Sequence, residues 1–182
     1  MTDQKITWKY LLVCIGAVFF TWITHELTHW FTSESLGYDS LLTLNKVSPI
    51  SGQKYTELHN VYVSASGPLI TIMQAVIVYI FLIKRNWNKL VYPFLFTPLY
   101  MRLLAGGMNF INPNDEGRIS EYFGLGVFTL SILVSVILFY LVYKISNRYK
   151  LGWKFNTWTT ILIMFASSIL ILSDQLLHIR IL

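Results

Sequence analysis

The chain has 182 residues, 54% of them apolar and only 13% charged, with a positive mean hydropathy, which excludes an ordinary water-soluble domain and marks a membrane protein. A net charge of +5 does not signal a nucleic-acid partner here, because the basic residues sit in short tracts beside apolar runs rather than along one exposed face. A single cysteine, Cys14, excludes an internal disulfide and any cysteine-rich metal site.

Apolar runs of near-spanning length cover residues 8–31, 68–83, 90–108, 122–143 and 158–177, against the roughly 20 residues a bilayer demands. The expected fold is therefore an all-α polytopic membrane protein with about five transmembrane passes, forming one domain over residues 1–182. The first run is too long for a signal-peptide core and lacks a small-residue cleavage site, so it is expected to be retained. Thr7 can cap this helix and Gly37 can stop it.

Residues 38–66 break the helical pattern. Leu42, Leu44 and Lys46 alternate with Thr43, Asn45 and Val47, Pro49 and Gly52 mark a turn, and residues 55–63 are rich in aromatic and β-branched side chains. This predicts a membrane-associated β-hairpin, with Pro68 in the first turn of the next helix and residues 61–66 extended before it. Residues 106–117 hold three glycines, a proline and three asparagines and predict a helix break, after which a helical run resumes at Glu116 and reaches about Ser146. Irregular backbone at membrane depth needs protein or a watery cavity around it.

If the passes alternate, Lys5, Lys9, Lys84, Arg85, Lys89, Lys144, Arg148, Lys150 and Lys154 share one side, which the positive-inside rule makes cytoplasmic. Of the acidic residues, only Asp3 joins them. The N-terminus is thus expected inside the cell.

Within the first run lies Thr24-His25-Glu26-Leu27-Thr28-His29, an HExxH motif. On a helix, residues four apart share a face, so both imidazoles can reach one metal while Glu26 stands beside them, placed to act as general base on a water. Two imidazoles, a carboxylate and an open position suit zinc. Ionisable groups inside a bilayer are costly and mark function. Candidates for the third ligand are Asp115, Glu116, Glu121, Asp174, His59 and His178. Asp115 is favoured because the Asn-Pro break can carry its carboxylate into a cavity, and Glu116 is the rival, its other reading being an acid in the first turn of the next helix. Arg102 can snorkel toward the opposite interface, pair with Glu116 or Glu121, or stabilise an oxyanion, with pairing favoured; Asn109 and Asn112 can bind substrate backbone or satisfy the broken helix.

The order of these features, with HExxH on the first helix, a short hairpin, Ser66-Gly67-Pro68-Leu69 and then Asn109 through Asn112-Pro113-Asn114-Asp115-Glu116-Gly117, resembles the site-2 protease family of intramembrane zinc metalloproteases. The resemblance spans residues 8–146 and implies one zinc ion per chain, held by His25, His29 and Asp115. It also implies a substrate-binding role for Gly67, Pro68 and Asn112. The family's asparagine after Gly-Pro, which holds the substrate backbone, is Thr71 here, making Thr71 a candidate for substrate binding; its Leu-Asp-Gly becomes Asn114-Asp115-Glu116-Gly117 with an extra acid, and no PDZ-like insertion is present.

The expected activity is hydrolysis of peptide bonds in transmembrane or membrane-proximal substrates, in a bacterial or archaeal cell membrane. The hairpin can offer an edge to an unwound substrate or plug the zinc cavity. A metal-dependent hydrolase of lipids or lipid-linked amides is the alternative, and a metal-binding or transport protein a third reading. The resemblance implies zinc nearer the cytoplasmic face, whereas the basic tracts put it toward the outer face, and the outer face is the expectation.

Overall fold

A computed structural model describes residues 2–177 and 180–182. Its elements in chain order are α1 (Trp8–Ser35), β1 (Ser40–Leu42), β2 (Val47–Pro49), α2 (Glu57–Lys84), α3 (Tyr92–Met108), α4 (Asp115–Tyr122), α5 (Thr129–Arg148) and α6 (Trp153–Leu177). Among the described residues, α1, α2, α5 and α6 are long and apolar enough to cross a membrane. The chain is an α-helical membrane protein with a small hairpin after its first helix.

The fifth expected pass is α3, which has 17 residues and rises only about 25 Å, short of the roughly 30 Å hydrocarbon layer. It packs on α1, α2, α5 and α6, and buries Tyr92, Leu95, Thr97, Leu99, Met101 and Arg102. By contrast, α5 and α6 turn Leu133, Val136, Phe139, Phe165 and Leu172 outward, as lipid-facing helices do.

The hairpin is much smaller than the 38–66 expected. Its strands have three residues each, and residues 57–66, read as extended, form the first turns of α2. Thr56 caps that helix by accepting from the His59 backbone N–H at 3.2 Å, with Glu57 in the first turn. Pro68 accordingly lies inside the helix rather than at its start. The β-branched and aromatic residues misled because a helix packed on a neighbour overrides propensity.

The expected run from Glu116 to Ser146 also divides. The short α4 ends at Tyr122, and Gly124 and Gly126, both at positive φ, turn the chain before α5 begins at Thr129. Gly106 and Gly107 stay within α3, so the break is confined to residues 109–114. Thr7 and Gly37 bound α1 as expected: the Thr7 hydroxyl accepts from the Tyr10 N–H at 3.3 Å, and Gly37 has φ +85°.

The basic tracts share one end. Trp87 Nε1 donates to the Asp3 carbonyl at 2.8 Å, Lys89 Nζ to the Lys5 carbonyl at 2.9 Å, and Arg148 to the Ile83 carbonyl at 3.2 Å. The buried stripe of α1 is apolar near this end, at Tyr10, Cys14 and Val18. Farther along it continues as Thr21, Trp22, His25, His29 and Ser33, so helical periodicity keeps one face inward while its chemistry changes.

Candidate metal centre

His25 lies 17 residues into α1, about 26 Å from its start, on the inward stripe. Its Nε2 is 3.0 Å from His29 Nε2 and 3.1 Å from Asp115 Oδ2, and the His29 nitrogen is 3.3 Å from the same oxygen. Among the described residues, His25, His29 and Asp115 form the one group able to share a metal ion.

These spacings fit zinc. Ligand atoms about 2.0–2.1 Å from a tetrahedral ion stand roughly 3.3 Å from one another. The His29 Nδ1–H donates to the Val63 carbonyl at 2.6 Å, which turns an Nε2 lone pair toward Asp115 and His25. A lone pair, a second imidazole nitrogen and a carboxylate oxygen thus converge. His25 Nδ1 is buried without a partner among the described residues.

Three elements hold these donors. The first is α1, where four-residue spacing sets both imidazoles on one face. The second is α2, whose Gly67 lets the rings rest on its backbone: a Cβ there would stand 2.5 Å from His25 Cε1, and still closer to His29 Nε2. The Gly67 expected to touch substrate therefore underlies the imidazoles. The third is α4, which begins at Asp115 because the Asn114 side chain accepts from the Gly117 N–H at 2.7 Å. Arg118 Nη2 donates to Asp115 Oδ1 at 2.5 Å and its Nε to Ser64 Oγ at 2.9 Å, leaving Oδ2 to face the imidazoles.

Glu116 points elsewhere, since consecutive helical residues diverge by about 100°. Its Oε1 accepts from Arg102 Nη1 at 2.6 Å, the pairing expected for that arginine, and both side chains are buried. Arg102 Nη1 lies 4.0 Å from Asp115 Oδ2. Glu26 is buried beside the two histidines and lines the same cavity.

Other anticipated residues lie elsewhere or work differently. Asn112 is exposed and outside the cavity lining, because the turn after α3 swings it outward. The Thr71 hydroxyl donates back into its own helix, to the Pro68 carbonyl at 2.9 Å, and Pro68 is buried against its neighbours. Asp174 accepts from the Leu44 N–H at 3.0 Å and from the Thr43 hydroxyl at 3.1 Å, tying α6 to the hairpin. His59 meets the Tyr38 hydroxyl at 2.9 Å and Glu121 is exposed, while His178 lies outside the described residues.

Asn109 has the role of satisfying the break: its Oδ1 accepts from the Asn114 N–H at 2.7 Å and its Nδ2 donates to Ser131 Oγ at 2.9 Å. Gly117 must be small for this, since a Cβ there would meet Asn109 Oδ1 at 2.6 Å. The sequence reading missed Asn114 as the cap, although an asparagine before Asp-Glu is a helix-start signal. It also missed Gln74, whose Nε2 donates to Thr21 Oγ1 and the Phe94 carbonyl at 2.9 Å each, joining α1, α2 and α3.

The site opens into a cavity of about 670 Å³ bordered by α1, α2, α3, α4, α6 and the hairpin. Residues 45–49 in succession line it. Side chains of a strand alternate between faces, so an unbroken run of lining residues means that β2 meets the cavity edge-on.

The register identifies what that edge carries. Thr43 N–H donates to the Lys46 carbonyl and Ile50 N–H to the Asp39 carbonyl, both at 2.9 Å, so the Leu42–Val47 and Ser40–Pro49 pairs have outward backbone groups. On β1 those of Leu42 are taken by residues 181–182: Leu42 N–H donates to the Leu182 carbonyl at 3.1 Å and accepts from Ile181 N–H at 2.8 Å. On β2 they are the N–H and carbonyl of Val47 and the carbonyl of Pro49, a donor and two acceptors. No protein-family model, curated protein or solved structure matches the chain.

Proposed function

We propose that the chain is an integral-membrane zinc metalloprotease of the HExxH type, holding one zinc ion and hydrolysing peptide bonds of transmembrane or membrane-proximal substrates. The observation that carries this reading is the mutual 3.0–3.3 Å spacing of His25 Nε2, His29 Nε2 and Asp115 Oδ2, with Glu26 beside them in a cavity. When bound, zinc supplies Lewis acidity that makes water nucleophilic near pH 7 and polarises a carbonyl.

The chain's own groups do the rest. The Glu26 carboxylate takes a proton from water as the water oxygen bonds to the amide carbon, then delivers that proton to the amide nitrogen as the C–N bond breaks. A transmembrane helix has its amides internally bonded, so it must unwind before attack. The outer edge of β2 is suited to holding an unwound segment, because the outward backbone groups of Val47 and Pro49 have no partner among the described residues and lie beside the cavity. That edge favours a peptide over a lipid amide, which has no strand to add. We further place the basic end of the bundle in the cytoplasm, so that external labelling of a cysteine at Asn86 would overturn this orientation.

The test uses purified full-length chain in nanodiscs. Wild type is expected to bind one zinc ion per chain and cleave hydrophobic peptides, while Glu26→Gln keeps the zinc and loses about 10²–10⁴-fold in kcat. A wild-type chain that takes up no catalytic metal under metal-replete conditions ends the hypothesis, and cleavage confined to lipid amides would select the alternative substrate class.

A further inference from the structure

A guanidinium buried to 2% exposure, Arg102, is the unassigned charge nearest the metal centre. It sits on α3 among the cavity-lining residues Met101, Leu104 and Ala105. Burying an ion pair is a poor route to stability, because apolar side chains of similar volume commonly do as well or better. The Arg102–Glu116 pair therefore needs a reason beyond packing.

Holding Asp115 is not that reason. Asp115 Oδ1 already accepts from Arg118 at 2.5 Å and Oδ2 faces two imidazoles, whereas Arg102 stands 4.0 Å off. Instead, Glu116 fixes the guanidinium through Nη1 at 2.6 Å, and among the described residues no other nitrogen of Arg102 has a hydrogen-bond partner. A cation is thereby held next to the ligand oxygen with donors to spare, in a place shielded from bulk water.

We infer that Arg102 is a further catalytic residue, which stabilises the oxyanion formed when water adds to the substrate carbonyl, with Glu116 as the residue that positions it. The inference rests on the proposed amide hydrolysis, in which the carbonyl oxygen gains negative charge as the carbon becomes tetrahedral and loses it when the C–N bond breaks. A donor oriented before reaction needs no reorganisation at that moment, and removing one such donor typically costs about 10²–10³-fold in rate.

The probes are a Leu-Ala phosphonamidate peptide, which carries an anionic tetrahedral centre, and the matched peptide amide, both titrated onto zinc-loaded Glu26→Gln protein. Adding Arg102→Met with Glu116→Gln, which removes the cation without stranding its partner, is expected to weaken the phosphonamidate about 10²-fold or more and the amide less than about threefold, with zinc still one per chain. Arg102→Lys, with Glu26 and Glu116 intact, keeps the charge and loses the fork; it is expected to lower kcat at least about tenfold with KM nearly unchanged. Equal affinities for both probes, or equal losses of both, would overturn the assignment. If the first variant fails to fold or to hold zinc, the lysine variant decides: a fall in kcat without a rise in KM upholds the role, and any other pattern refutes it. Should zinc-loaded protein with Arg102 intact bind neither probe, the hydrolase reading itself fails, and with it the ground for this inference.

Discussion

The two ends of the bundle are built from the same helices and handle polarity in opposite ways. At the basic end, Tyr10 hydroxyl meets Thr159 Oγ1 at 2.6 Å, Tyr92 meets Asn156 at 2.9 Å, and loop carbonyls accept from Trp87, Lys89 and Tyr149. Donors there meet acceptors. At the cavity end, two imidazole nitrogens and a carboxylate oxygen converge within 3.3 Å of one another. That convergence is what the proposed metal site requires. A buried ion pair, Arg102–Glu116, stands at the cavity end, whereas the buried contacts of the basic end join neutral hydroxyl and amide groups.

Four substitutions test that contrast, beginning with the largest effect on stability. Arg102→Met alone strands Glu116 in a buried site and is expected to destabilise by about 3–5 kcal/mol, with much of the loss recovered on adding Glu116→Gln. Thermal unfolding in detergent reads this, and a single variant as stable as wild type would show the pair to be solvated. Gly67→Ala drives a methyl into both imidazoles and should cost about 1–3 kcal/mol, with a clear drop in zinc affinity. Unchanged metal titration would show that the rings do not depend on α2.

Asn114→Ala removes the cap of α4 for about 1 kcal/mol, whereas Asn114→Asp retains an acceptor and should stay near wild type. If both variants lose stability alike, the side-chain amide matters and the cap does not. At the basic end, Lys89→Ala breaks a half-buried pair with the exposed Asp3 and a bond to the Lys5 carbonyl, and is expected to leave melting nearly unchanged and zinc binding unchanged, because pairs with an exposed partner contribute little. A measurable drop there would blur the distinction between the two ends.

Legibility in the sequence followed the range of the interaction involved. Helix one could be read to its caps, because Thr7 and Gly37 act within a turn of themselves. The HExxH spacing likewise sets its own geometry on any helix. Residues 57–66 were misread as strand because their β-branched and aromatic side chains express a weak preference, which packing of α2 on α1 outweighs. The run after Glu116 was misjudged because two glycine turns sit inside an otherwise apolar stretch. Asn112 was anticipated at the site, yet Asn114 and Asn109 fasten the break and Asn112 faces outward.

By itself, then, the sequence determined a helical membrane protein with two imidazoles and a glutamate in the last third of its first helix, since composition and period are properties of the chain alone. Only the tertiary structure decided that Asp115 rather than Glu116 faces the imidazoles, that Gly67 lies beneath them, and that among the described residues β1 rather than β2 has its outer edge paired. Each of those choices joins residues at least 14 positions apart, as Arg102 and Glu116 are, and up to 140 apart for Leu42 and Leu182. Local pattern cannot express such contacts, because they exist only once the helices have packed.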